Sequence, residues 1–97
     1  MICELTTGSI VISKKGRDKG EWFVVVKVVQ DTQSKRDSTY VWLVNGTTRM
    51  VERPKKKKRK HVKLTKYFDA TIKDRIQNGI NNSEVRKAIM QYAHSEK

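Results

Sequence analysis

Ninety-seven residues, 36% of them apolar, are material for one small domain with a compact core and exclude a large layered fold. Twenty-two Lys and Arg against ten Asp and Glu leave a formal net charge of +12, which predicts an anionic partner. Cys3 is the only cysteine, which excludes an internal disulfide. The opening residues lack the apolar core of a signal peptide and no apolar run reaches membrane-spanning length, so a soluble, intracellular, cytoplasmic protein is expected.

Residues 1–7 read as a lead-in whose Ile2 and Leu5 cover one end of the fold. Two β-segments follow, 9–13 and 22–29, rich in the β-branched and aromatic residues that suit a half-buried pleated surface. In the second, Trp22, Val24, Val26 and Val28 make an unbroken apolar row, expected to be core. Phe23, Val25 and Val29 on the other face are interrupted by Lys27, which requires partial cover by a neighbouring element or a bulge. The loop between the segments holds Lys14, Lys15, Gly16, Arg17, Asp18, Lys19 and Gly20. Its four cations in six positions, with glycines that free the main chain, suit close approach to an anion. Asp18 is read as shaping the turn or offsetting a neighbouring cation.

Residues 30–38 are polar and read as a long hairpin connection, with a third strand at 39–44. Asn45-Gly46 predicts a type I′ turn, with 47–51 as the returning strand until Pro54 ends the pairing. Residues 55–66 hold eight cations and no acid, two thirds of the excess charge in twelve positions. Repulsion predicts that 55–60 is extended and solvated. Val62 and Leu64, alternating with Lys63 and Thr65, predict a short closing strand.

The period then changes. Phe68, Ile72 and Ile76 recur every fourth residue, as on a half-buried helix, and Asn78-Gly79 is its stop. Asn82 or Ser83 is expected to cap a second helix, with Glu84 in its first turn and an apolar stripe of Val85, Ala88, Ile89, Tyr92 and Ala93. The fold class is therefore mainly β with an α extension: a small β-barrel over 1–66, including the basic segment 54–66, and a helical tail over 67–97.

Residues 8–28 resemble a KOW motif, with β-residues around a Lys-Gly turn, here Lys19-Gly20. The closer similarity is to the KOW-containing large-subunit ribosomal proteins of archaea and eukaryotes, the fourteen-e and twenty-seven-e families, and to small bacterial KOW-domain RNA-binding proteins related to them. Val44-Asn45-Gly46 stands where those proteins have a Val-Asp-Gly turn, and Arg49 falls in the basic segment after it. Pro54 with its lysine run resembles their proline-then-basic exit, and Leu64-Thr65-Lys66 their Leu-Thr segment ahead of a helical tail. Phe23 departs from the elongation-factor KOW domains, which tend to have a glycine there. The resemblance implies an SH3-like barrel that binds RNA, usually ribosomal RNA, through its loops.

The expected function is RNA binding in association with the ribosome, by phosphate contact from two basic segments. The first segment contributes Lys14, Lys15, Gly16, Arg17, Lys19 and Gly20, and Arg49 and Arg53 lie beyond the hairpin. The second contributes Lys55, Lys56, Lys57, Lys58, Arg59 and Lys60, followed by His61, Lys63 and Lys66. Tyr40 and Trp42 share a strand face and are candidates for stacking on unpaired bases, while most other aromatics are assigned to the core. PKKKKRKHV also matches a nuclear import signal, a pattern common by chance, and an anionic membrane patch lacks a cationic amphipathic helix. His61 and His94 have no partners in a ligand pattern, and no triad, paired-carboxylate or phosphate-loop motif occurs. No metal, cofactor, small-molecule substrate or enzymatic activity is expected. The alternative is a protein–protein adaptor docking on a translation or transcription complex through the barrel or the terminal helix.

Overall fold

The structure is a computed structural model that describes residues 5–31 and 38–95. The expectations for Ile2, for Cys3 and for the middle of the 30–38 connection fall outside the described residues. Five strands, β1 (Ser9–Ser13), β2 (Trp22–Asp31), β3 (Ser38–Val44), β4 (Lys55–Lys58) and β5 (Val62–Phe68), form one antiparallel sheet in the order β4-β3-β2-β1-β5. A 3₁₀ turn at Arg59–His61 joins β4 to β5, and two helices follow, α1 (Ala70–Asn78) and α2 (Asn82–Ser95). The edge strands β4 and β5 are joined by three residues, so the sheet curls until its edges approach. It stays open, because no ladder joins β4 to β5 among the described residues.

The basic segment departs most from expectation. Residues 55–58 are a strand rather than a solvated run, because a lysine backbone pairs as well as any other and edge positions tolerate charge. The expected returning strand at 47–51 is instead loop. Gly46 alone takes a positive φ, +77°, whereas the expected type I′ turn requires one at Asn45 as well. Asn45 organises the loop by its side chain: Oδ1 accepts from the Thr47 and Arg49 amides at 3.0 and 2.9 Å, and Nδ2 donates to Thr48 Oγ1 at 3.0 Å. Gly46 also lies under the start of α2, where a Cβ would come 2.5 Å from the Asn82 carbonyl oxygen. Gly46→Ala is expected to destabilise the protein by about 2 kcal/mol or more, the left-handed strain adding to a backbone clash, read as a lower urea midpoint.

The β2 pattern is resolved by a bulge. Val25 lies opposite Leu43 and Lys27 opposite Trp42, so Val26 is an extra residue that reverses the facing of everything after it. The expected unbroken core row therefore splits. Phe23, Val24 and Val25 are all fully buried, between two apolar layers. On one face Ile10, Val24 and Val44 pack with Ile72 of α1 and with Val85 and Ala88 of α2. On the other, Val11, Phe23, Val25, Val41, Leu43 and Val62 pack together with Leu5, Val28 and Leu64 inside the curl.

The tail belongs to the same core. Phe68 ends β5 rather than opening a helix, because Asp69 caps α1 by accepting from the Ile72 amide at 3.0 Å. The other Asp69 oxygen accepts from Tyr92 Oη at 2.8 Å. Burial, with this bond, pushes the Tyr92 phenol up to about 12. Tyr67 lies between Trp22 and Tyr92, its ring centroid 6.3 and 4.9 Å from theirs. Gly79 ends α1 as expected. The cap of α2 is Asn81 rather than Asn82 or Ser83: its Oδ1 accepts from the Glu84 amide at 2.9 Å and its Nδ2 donates back to Glu84 at 3.0 Å. Asn82 instead ties α2 to the 45–53 loop, accepting from the Val51 amide at 2.8 Å. Among the described residues no helix is long and apolar enough to cross a membrane.

Candidate nucleic-acid interface

Alternation divides the four lysines of β4. Val41 lies opposite Lys57 and Leu43 opposite Lys55, so these two lysines face the inside of the curl. Tyr40 lies opposite Lys58 and Trp42 opposite Lys56, so those two face outward. In a flat sheet β4 would stand three strand spacings from β1, roughly 14 Å. The curl closes that gap and brings Lys57 to the end of β1.

There its ammonium donates to Ser13 Oγ at 2.7 Å, to the Lys15 carbonyl at 2.6 Å and to Asp18 Oδ1 at 2.6 Å. Those are its three protons, and its side chain is 8% exposed. Lys55 reaches the other Asp18 oxygen at 3.0 Å, and Ser13 Oγ donates to Oδ1 at 2.8 Å. Burial works against the Asp18 charge, but the hydrogen bonds from Lys57, Ser13 and Lys55 outweigh it and hold the carboxyl well below the usual range. Lys57, expected as an RNA contact, has no proton left for a phosphate and is a brace; Lys55 is partly engaged in the same way. Asp18 does offset neighbouring cations, and its partners lie 37 and 39 positions away.

The brace fixes the 14–20 loop against β4. Gly16 and Gly20 both take positive φ, and the loop closes on itself through Gly20 N to Ser13 O at 2.9 Å and Lys19 N to Gly16 O at 3.2 Å. The Lys14 amide donates to the His61 carbonyl at 2.8 Å, joining the loop to the 3₁₀ turn as well. Lys14, Lys15, Arg17 and Lys19 stay exposed, as do Lys56, Lys58, Arg59 and Lys60. Partial burial, with the ammonium groups of Lys15, Lys60, Lys58 and Lys57, lowers the His61 pKa and favours its neutral form. Arg49 joins the group from the 45–53 loop, lining a shallow recess with Arg17, Lys55, Asp18 and Glu21.

Other candidates lie apart. Arg53 lines a separate recess with Met50 and Glu52. Lys63 is exposed opposite Ile12. Lys66 sits over the Tyr67 ring at 5.4 Å, and strand geometry puts it roughly 13 Å from Val62, the residue opposite Ser13. Tyr40 and Trp42 are both half-buried on the outer sheet face, with Lys56 Nζ at 4.5 and 5.9 Å from their ring centroids. Sequence reasoning missed Ser13 and the reach of Asp18; the one carboxylate among four loop cations was the available signal. Among the described residues no three His, Cys, Asp or Glu side chains gather as a metal site. No protein-family model matches the chain, and no curated protein matches it either.

Proposed function

We propose that this chain is a cytoplasmic, ribosome-associated RNA-binding module, a KOW-type SH3-like barrel whose basic loop and β4 edge lie along one phosphate backbone. The observation that carries this reading is the Asp18–Lys57 brace, which ties the 14–20 loop to β4 across 39 positions of sequence and so holds two cation clusters as one surface. Phosphate contacts from exposed Lys and Arg position an RNA without reading its bases, so the fixed spacing of the two clusters supplies selectivity for backbone shape. The adaptor reading has less support. The α2 stripe that would serve a protein partner is used on the chain's own sheet, with Val85 fully buried and Ile89 and Tyr92 packed beside it.

The test is the salt dependence of binding to a structured ribosomal RNA fragment, followed by fluorescence anisotropy. With about six phosphates neutralised, affinity is expected to fall on the order of a thousandfold between 50 and 200 mM salt. Affinity that stays level across that range, or no binding at the lower salt, refutes the reading.

A further inference from the structure

The part of the outer sheet face that the helices leave bare has its own chemistry. Beyond the β2 bulge two rows cross three strands: Lys27, Trp42 and Lys56 in one, Val29, Tyr40 and Lys58 in the next. These six positions hold two aromatic rings, three ammonium groups and no carboxylate. Val44, on the same face of β3, is covered by α1 and α2, whereas among the described residues neither Tyr40 nor Trp42 belongs to either core cluster. The rings are two residues apart on one strand, roughly 7 Å, and the Lys56 ammonium lies over both.

Resting on the RNA-binding reading, we infer that this face takes an unpaired stretch of RNA, one base on Trp42 and the next on Tyr40. A sheet face bearing aromatic rings stacks bases that are splayed out, and a base inside a duplex has both faces occupied already. Lys56 gives up the ring faces to the bases and turns to the phosphate between them, with Lys27 and Lys58 on either side. Lys58 leads directly into Arg59 and Lys60, so the same strand of RNA continues from this face onto the cationic surface. A single-stranded end or bulge next to a structured element is therefore the class of RNA favoured.

Trp22 and Trp42 are the only tryptophans, so Trp22→Phe leaves Trp42 as the sole fluorophore. This variant is titrated at 50 mM salt with a ten-nucleotide oligouridylate, an abasic oligomer of equal length, an RNA duplex and a ten-residue polyglutamate. Oligouridylate is expected to quench Trp42, and the abasic oligomer is not. Trp42→Ala and Tyr40→Ala, in the otherwise unaltered chain, are each expected to weaken oligouridylate binding about tenfold and leave duplex binding unchanged. Trp42→Phe, which keeps a ring, is expected to retain most of the affinity and serves should Trp22→Phe fail to fold. Saturation without quenching, or equal weakening on oligouridylate and duplex, overturns the inference and leaves the phosphate reading standing. Tighter binding of polyglutamate than of oligouridylate overturns it in favour of an acidic protein. Failure to bind any of the RNAs overturns both readings together.

Discussion

Lys57→Met is expected to destabilise the protein by about 3–5 kcal/mol, while Lys56→Met, one residue earlier, costs less than about 1 kcal/mol. The residue types are identical and the difference is the facing. Lys57 supplies three hydrogen bonds to buried or half-buried oxygens, and its loss leaves the Asp18 carboxylate with only Ser13 and Lys55. Lys56 projects outward and loses only its contact with two rings. Small domains are stable by about 5–15 kcal/mol, so the inner substitution removes a large share of the total. Replacing both partners, Asp18→Asn with Lys57→Met, is expected to recover much of the loss, since neither charge is then left alone in the interior. Urea midpoints at constant slope measure all three variants, and equal losses for Lys56 and Lys57 refute the brace.

The pH dependence has a definite sign. The Asp18 carboxyl is held below its unfolded value, which for aspartate is about 3.9. Its contribution to stability is therefore complete above about pH 4 and is lost as the pH falls below that toward the folded value. Asp18→Asn should flatten this acid limb while lowering stability at neutral pH. An acid limb of unchanged steepness in that variant would remove Asp18 from the account.

The second large effect is on binding. Neutralising the four outward cations together, as Lys56→Gln, Lys58→Gln, Arg59→Gln and Lys60→Gln, is expected to reduce the salt slope on duplex RNA by about 3–4. Affinity at 50 mM salt should fall for every RNA alike, because phosphate contacts carry no base information. Stability should barely change, since all four side chains are exposed. Omitting Lys55 and Lys57 is deliberate: their loss would loosen the loop and confuse a folding defect with a binding one. A salt slope that survives the fourfold change would place the RNA elsewhere on the molecule.

Much of the scaffold was legible wherever side chains differ in kind along the chain. The β1 and β2 segments follow from their β-branched and aromatic residues, the Gly79 stop from the Asn-Gly pair, and the α2 stripe from the period of apolar residues. The lysine run was not legible in the same way. Alternation carries information only when neighbours differ, and four consecutive lysines cannot say which two face inward. The 45–53 loop was misread for a related reason. Asn-Gly suits a tight turn, but Asn45 closes a longer loop with its amide side chain, and α2 needs the flat glycine backbone under it. The outer aromatics were paired correctly on one face, yet whether that face was covered depended on where the helices dock.

Composition and order alone determined a small, strongly basic, β-rich domain with a helical tail, because charge balance and apolar period are properties of neighbouring residues. Which cations hold the protein together and which remain exposed was decided only by the tertiary structure. Strand register and sheet curvature carry Lys57 to Ser13 and Asp18 across 44 and 39 positions, and no local pattern encodes a contact of that range.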